Sequence, residues 1–265
     1  MGRFLILGKE ERQKYLFQML CGKGQTVTYC DSWLDGYYDA ILLPVAQTAA
    51  YLKKAEGQLQ AGEYVFGCNF PPEIVERKRK QGVFFIDYMK EEGAAYINAV
   101  ATAEGAIAQA LLSGKEVLFG KQMLVMGYGR CGQILSHRLK AMGGEVTVCE
   151  KDEEKLAMAY ANGLKVLGAQ EKPSAEFWAG FLYIFNTAPK LVLTAERLAR
   201  VRRDAVIIDI ASKPGGVDYA YCERNNLHAT LCGGLPAKYA PKSAAELLLS
   251  VIESNLKEVM SYEAG

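Results

Sequence analysis

The sequence predicts an α/β protein of two domains, each built on a parallel sheet, and three observations lead there. Short apolar runs rich in Val, Ile, Phe and Tyr alternate from residue 4 onward with segments of helical periodicity, the pattern of successive βα units. One glycine motif, Gly127-Tyr128-Gly129-Arg130-Cys131-Gly132, stands between such a run and a helical stretch. An alanine-rich segment, Ala94 to Leu112, separates two βα series and is expected to be a linker helix.

Composition bounds the rest. The chain has 265 residues, 50% apolar and 23% charged with a net charge of +1, an ordinary globular balance long enough for two cores. Nothing in it favours nucleic acid or an anionic membrane surface as a partner. The apolar run at the start, Phe4 to Leu7, is too short for a signal peptide or a membrane span. The 7 cysteines show no CxxC pair and no metal-ligand spacing with the 2 histidines, so no metal is expected, and reduced thiols in a cytoplasm are.

In chain order, Phe4 to Leu7 reads as a buried strand, with Tyr15, Leu16, Met19 and Leu20 on one face of the helix that follows. Val27 to Cys30 and Ala40 to Leu43 are the next strands, the latter stopped by Pro44. A helix over Thr48 to Gln60, a strand at Tyr64 to Phe66, a helix over Pro72 to Lys80 and a strand at Val83 to Ile86 complete a flavodoxin-like parallel domain. After the linker, strands are expected at Gln122 to Met126, Glu145 to Cys149, Leu164 to Leu167, Phe181 to Phe185, Ala205 to Ile210 and Ala229 to Cys232. An amphipathic helix from Ala244 to Met260 ends the chain. The expected domains are 1–112 with the linker helix, 113–240 as a Rossmann dinucleotide-binding domain, and 241–265 as a helix packing back across both. A cleft between the two α/β domains, floored by the strand ends of the second, is the expected ligand site.

Each motif glycine has a physical task. Gly127 permits the turn off the strand, Gly129 lets the backbone approach a pyrophosphate, and Gly132 lets the helix pack closely on the sheet. Tyr128, Arg130 and Cys131 fill the turn between them. The helix that begins there offers free amides and a positive dipole end to phosphate. Glu150, 18 residues after Gly132 at the tip of the next strand, is placed to accept from the ribose hydroxyls of NAD. Lys151 beside it could instead attract the 2′-phosphate of NADP.

Three loops after later strands combine turn formers with polar groups, and ligands of such sheets sit outside those strand ends. They are Asn186-Thr187-Ala188-Pro189, the stretch from Asp209 through Ala211, Ser212 and Lys213 to Asp218, and the stretch from Gly233 to Ser243 that contains Lys242. Asn186, Ser212, Lys213 and Lys242 offer donors there. The linker helix adds Thr102 and Glu104; a carboxylate in so apolar a helix either faces the cleft or pairs with a base, and the cleft is the reading adopted. His137 and His228 lie inside a helix and at a strand start, as structural residues. The histidine acid that D-2-hydroxyacid dehydrogenases use on the same two-domain plan is therefore missing, which calls for hydride chemistry on another substrate.

Taken together, the loops resemble the family of the dipicolinate synthase A-subunit over nearly the whole chain. The resemblance rests on Arg12-Gln13, Leu43-Pro44-Val45, Asn98 with Thr102 and Glu104-Gly105, the glycine motif, and Asn186-Thr187 with Pro189. It also rests on the motif that runs from Asp209 to Asp218, and its specific parts are Ala211-Ser212 with Pro214-Gly215-Gly216 inside that motif, and Gly234-Leu235-Pro236 followed by Ala240-Pro241-Lys242. It implies a nicotinamide-dependent dehydrogenase that works with a second, flavoprotein-like partner, the dipicolinate synthase B-subunit. The reaction would oxidise a dihydropyridine dicarboxylate to dipicolinate, the calcium-chelating acid of bacterial endospores. Arg12, Lys213 and Lys242 would meet the substrate carboxylates, with Thr102 beside them, and Glu104 would take the proton, with Asp218 as the alternative. The sequence Glu150-Lys151-Asp152 points to NAD over NADP as cofactor, and the apolar C-terminal helix and linker point to a homodimer. The alternatives are another nicotinamide oxidoreductase of this fold acting on a different small acid, and a cofactor-binding regulatory protein without turnover.

Overall fold

The computed structural model describes residues 2–257 and divides the chain into two compact units, residues 1–98 with 236–265, and residues 99–235. In unit 1 the strands are β1 (Arg3–Leu7), β2 (Thr26–Cys30), β3 (Ala40–Leu42), β4 (Tyr64–Gly67) and β5 (Phe84–Asp87). Helices α1 (Glu11–Gly22), α2 (Thr48–Ala55) and α3 (Pro72–Arg79) connect them. All pair in parallel in the order β2-β1-β3-β4-β5, the doubly wound order whose direction reverses between β1 and β3.

Alternation along β1 explains why both faces of this sheet are covered. Phe4 and Ile6 enter one core, with Leu16 and Leu20 of α1, while Leu5 and Leu7 enter the other, with Leu52 and Ile74. Each of these side chains contributes roughly 1.5–3 kcal/mol by leaving water. The first core is closed by α11 (Pro241–Asn255), whose Ala245, Leu248 and Ile252 fall at helical spacing and pack beside α1. The chain thus returns to unit 1 for its last helix; the end expected for it, at Met260, lies outside the described residues.

The linker is helix α4 (Glu92–Gly114), and the division between the units falls inside it. Its second half buries Ala99, Ala103, Ala106 and Ala110 and belongs to unit 2, whereas the sequence puts the boundary at the helix end.

Unit 2 carries β6 (Gln122–Met126), β7 (Glu145–Glu150), β8 (Lys165–Gly168), β9 (Tyr183–Asn186), β10 (Val206–Asp209) and β11 (His228–Leu231). Between them run α5 (Arg130–Ala141), α6 (Glu153–Ala161), α7 (Ala175–Ala179), α8 (Ala195–Leu198) and α9 (Tyr219–Arg224), and α10 (Leu235–Tyr239) follows β11. The order β11-β10-β9-β6-β7-β8 is wholly parallel and is the Rossmann arrangement, with its reversal between β6 and β9. Leu124, Ile184 and Ile207 from adjacent strands meet Trp178, Phe181 and Leu198 in one core. Among the described residues no helix is long and apolar enough to cross a membrane.

Candidate functional site

The paired ends of β6 and β9, Met126 and Asn186, mark the point in unit 2 where ligand chemistry is expected, and the glycine turn leaves from it. Gly127 takes φ 98°, a left-handed value that side chains disfavour, and its N–H donates to the Cys149 carbonyl at 2.7 Å. A Cβ at Gly132 would overlap the Gly127 carbonyl oxygen, so α5 approaches the strand end as closely as it does only with glycine there. At Gly129 a Cβ would meet nothing within 4 Å. Gly129 is also the N-cap of α5 and makes no side-chain cap bond, which leaves the first-turn amides facing open space. That open cradle fits the pyrophosphate of a dinucleotide.

Beside it lies a cavity of about 580 Å³ lined by Gly127, Glu150, Lys151, Ala169, Ala188 and Leu191 among others. The Glu150 carboxylate accepts from the amides of Tyr128 at 2.8 Å, Lys151 at 2.7 Å and Asp152 at 3.2 Å. It is fixed at the rim with acceptor capacity to spare for a ribose hydroxyl. Lys151 is exposed on the same rim. The Tyr128 side chain takes another direction than the motif implies. Its ring is fully buried and its hydroxyl lies 3.1 Å from His137 Nε2, so only its backbone serves the turn. Cys131 is half-buried in the same turn, and burial pushes its thiol up.

The loops after β9 and β10 are locked to each other by one buried carboxylate. Asp209, wholly inaccessible, accepts from Asn186 Nδ2 at 2.8 Å and Ala211 N at 3.0 Å through one oxygen. Its other oxygen accepts from Gly216 N and the Tyr219 hydroxyl, both at 2.7 Å. Asn186 in turn bonds both the N–H and the carbonyl of Ala188. Thr187 Oγ1 donates to the Met126 carbonyl at 3.0 Å and stands where a Cβ at Gly127 would fall. The site residues predicted after β9 and β10 therefore come together with the glycine turn, with a division of labour. Asp209 and Asn186 are consumed in holding the loops. Ala188 lines the cavity with Pro189, and Ser212 is exposed on the loop that Ala211 begins. Burial and the adjacent Asp209 carboxylate push the Tyr219 phenol up, so it remains a donor.

Other predicted residues lie elsewhere. Glu104, read as facing the cleft, makes the other contact that the sequence left open, pairing with a base: Arg138 Nη1 at 3.2 Å, on the later turns of α5, with about half of the Glu104 side chain exposed. A carboxylate is costly to bury in so apolar a helix, and here it stays partly exposed and takes Arg138 of α5 as its partner. Asp218 has a structural bond of its own. It is the N-cap of α9 and accepts from Tyr221 N at 2.9 Å, a bond that satisfies an otherwise orphaned helix amide. Lys213 is exposed on the β10 loop, and its peptide bond to Pro214 is cis. Thr102 lies half-buried on the unit 2 part of α4. In unit 1, Lys242 is exposed in the first turn of α11. Arg12 in α1 is buried and donates to Glu10 at 2.7 Å.

Two residues of this region carry no sequence signal. Tyr219 reaches Asp209 from ten positions away, and Arg197, a cavity wall, donates to the carbonyls of Val192 and Ala169 while stacking over Trp178. Neither falls in a motif or a periodic pattern.

Residues 100–236 match the family model described as S-adenosyl-L-homocysteine hydrolase, NAD binding domain. The dipicolinate synthase A-subunit of Bacillus subtilis is 30% identical over 188 residues, which cover 71% of this chain and 61% of that protein. The chain therefore spans less than two thirds of that relative's length. The crystal structure of the dipicolinate synthase A-subunit from Bacillus halodurans superposes with a TM-score of 0.83 at 25% identity, covering 98% of each chain. D-lactate dehydrogenase of Escherichia coli, at 14% identity and a TM-score of 0.66 over 97% of each chain, shares the fold. The family model, with the cradle described above, gives unit 2 the build of an NAD-binding domain, and the dehydrogenase likeness is one of fold. With the family model covering more than half of its 265 residues, the chain belongs to the S-adenosyl-L-homocysteine hydrolase NAD-binding-domain family, and over nearly its whole length it resembles the dipicolinate synthase A-subunit.

Proposed function

We propose that the chain is the nicotinamide-dependent dehydrogenase component that oxidises a dihydropyridine dicarboxylate to dipicolinate in bacterial spore formation, acting with a B-subunit. The observation that carries this reading is the likeness to the dipicolinate synthase A-subunit over 98% of both chains, which includes unit 1 as well as the cofactor domain. When bound, the nicotinamide supplies the hydride acceptor. The amides at the start of α5 hold the pyrophosphate, Glu150 accepts from the ribose, and the Asp209-braced loops fix the walls of the site. The substrate loses a hydride from one ring carbon and a proton from the ring, and the product is aromatic. Aromatisation drives the step, so the proton passes to water. Glu104 and Asp218, engaged with Arg138 and with the α9 amide, are not assigned that role. Lys213 supplies a cation to a substrate carboxylate.

NAD is the preferred cofactor, because the anchored Glu150 carboxylate repels a 2′-phosphate more strongly than the exposed Lys151 attracts it. Glu150→Ala should weaken NADH binding about tenfold by removing a charge-assisted hydrogen bond and leave NADPH binding equal or tighter. Titration of both cofactors, followed by protein fluorescence, reads this directly; equal loss of both would discard the assignment. The activity itself is tested by combining purified chain, the B-subunit, NAD and the dihydropyridine dicarboxylate, and following reduced cofactor and dipicolinate together. Cofactor bound without any dipicolinate formed would overturn the proposed reaction.

A further inference from the structure

The loops after β8 and β9 meet over the unit 2 cavity although their strands are not neighbours. In the sheet order β6 and β7 stand between those two strands, so three strand spacings of about 4.8 Å each separate the ends from which the loops leave. Arg197 of α8 joins them: Nη1 donates to the Val192 carbonyl at 2.9 Å and Nη2 to the Ala169 carbonyl at 2.8 Å. Val192, Ala169 and Arg197 all line the cavity. Trp178, 2% exposed, lies with its ring centroid 5.6 Å from the guanidinium carbon and steadies the fork.

From each carbonyl the bonding continues. Ala169 N donates to the Glu150 carbonyl at 2.8 Å, and the Glu150 carboxylate holds Tyr128 N at the glycine turn. Val192 N and Leu193 N both donate to the Gly216 carbonyl at 2.9 Å, and Gly216 N donates to Asp209. A continuous run of bonds thus passes from the glycine turn through Glu150, Ala169, Arg197, Val192 and Gly216 to Asp209. Every other step in that run lies within one loop or joins loops of adjacent strands; the Arg197 step alone passes over two strands. Two acceptors on separate loops suit a guanidinium, whose N–H groups diverge in one plane at fixed spacing, better than the point charge of an ammonium. Arg200, at the end of the same helix, reaches the β8 loop farther along through one bond of 3.4 Å to the Pro173 carbonyl, a residue outside the cavity lining.

We infer that Arg197 is a positioning residue for the dinucleotide: it fixes the separation of the two walls that enclose the adenosine end, beside Glu150, and touches no reacting atom. This role presupposes the dinucleotide reading of unit 2 and not the dipicolinate reaction. With the fork removed, the walls are free to part, the arrangement that fits an adenosine becomes one of several, and the apparent affinity falls with its population.

The test is calorimetric titration of the full chain with ADP-ribose, which carries the adenosine half and the pyrophosphate, and with NADH. Arg197→Met keeps an apolar stem beside Trp178 and removes the fork. It should weaken both ligands by the same factor, about ten- to a hundredfold, the range for losing one charge-assisted hydrogen bond. Arg197→Lys keeps the charge without the fork and should also bind both more weakly, and it carries the test where Arg197→Met fails to fold. Arg200→Met, whose lost bond is long and lies away from the cavity, should stay within about twofold of wild type. A second readout comes from Trp178, one of 2 tryptophans, observed alone in a Trp33→Phe background. Acrylamide should quench Trp178 more strongly in Arg197→Met and return toward the wild-type level when ADP-ribose saturates the chain. Lower stability in urea with unchanged ADP-ribose affinity, a loss of NADH affinity that ADP-ribose does not share, or an equal loss in Arg200→Met would each overturn the role of Arg197 and leave the dinucleotide reading standing. A wild-type chain that binds neither ligand would overturn that reading and this role together.

Discussion

Replacing Asp209 by Asn tests the brace on which the unit 2 site depends. The substitution keeps shape and removes charge, so its cost can be worked from the four donors that surround the carboxylate. An amide NH₂ placed toward Asn186 and Ala211 would face two donors, and Asn186 cannot flip to accommodate it without breaking both of its bonds to Ala188. Placed the other way it faces Tyr219, whose hydroxyl can rotate to accept, and Gly216 N, which cannot. One buried N–H is then orphaned, at about 1–3 kcal/mol, and three charge-assisted bonds become neutral ones at roughly 1 kcal/mol each or less. Asp209→Asn should therefore lose about 3–5 kcal/mol in urea unfolding, a large effect for one isosteric change. Tyr219→Phe removes a single donor from an oxygen that keeps Gly216 N, and should cost about 1.5–2.5 kcal/mol. The double variant should lose less than the sum, since both changes act on one oxygen. NADH affinity should fall with Asp209→Asn, because the loops after β9 and β10 lose their common anchor. A loss within about 0.5 kcal/mol for Asp209→Asn, the range of ordinary surface changes, would show that the carboxylate does not hold these loops.

The glycine turn and the buried thiols give two more tests. Gly129→Ala adds a methyl to open space at an ordinary backbone conformation, so the melting temperature should hold while NADH binding drops at least about tenfold; Gly132→Ala drives its Cβ into the Gly127 carbonyl and should lower both. If Gly129→Ala binds NADH normally, the pyrophosphate does not sit at that turn. Burial pushes the Cys149 and Cys222 thiols up to about 11 from 9.0, so the folded chain holds protons that the unfolded chain releases between about pH 9 and 11. That contribution is complete below pH 9 and is lost as pH rises through the folded values, on the order of 2–3 kcal/mol per thiol at most. Urea unfolding at pH 8 and pH 10.5 should show the fall, and Cys149→Ala should flatten it; an unchanged slope in that variant would exclude this thiol as a source.

Much of this architecture was legible because it rests on local patterns. The strand expected at Gln122 to Met126 is β6, and the linker expected over Ala94 to Leu112 is α4, two residues longer at each end. Parallel strands buried on both faces give continuous apolar runs, and helices between them give their own period, so element order needed no tertiary information. The glycine turn was legible for the same reason, since its three constraints act within six residues. Side-chain direction was not. Periodicity puts Glu104 on α4 but does not say that Arg138 of α5 stands opposite. Asp218 was readable as a helix cap, standing directly before Tyr219-Ala220-Tyr221-Cys222, yet its place in a family motif suggested chemistry instead. Tyr219 depends on a contact that only the folded sheet creates.

What the two sheets share accounts for where the backbone opens. In each unit the helices leave to opposite sides at the strand pair where the order reverses, and the backbone there opens at its carboxyl end. In unit 2 the opening is lined by amides, because glycine removed the side chains and α5 begins without a cap. In unit 1 it is lined by Gln13, bonded to the last carbonyls of both reversing strands, with Arg12 beside it and α1 beginning without a cap. A helix N-terminus aimed at such an opening attracts anions in either case. The difference lies in what lines them: free backbone N–H groups suited to a pyrophosphate in unit 2, and in unit 1 the Gln13 amide that ties the two reversing strands together. Variants at the two openings should therefore separate: Gly129→Ala should lose NADH binding and keep its stability in urea, whereas Gln13→Leu, which leaves the Leu7 and Leu42 carbonyls without their donor, should lose about 1–3 kcal/mol and keep NADH binding, and a loss of NADH binding in both would refute the division.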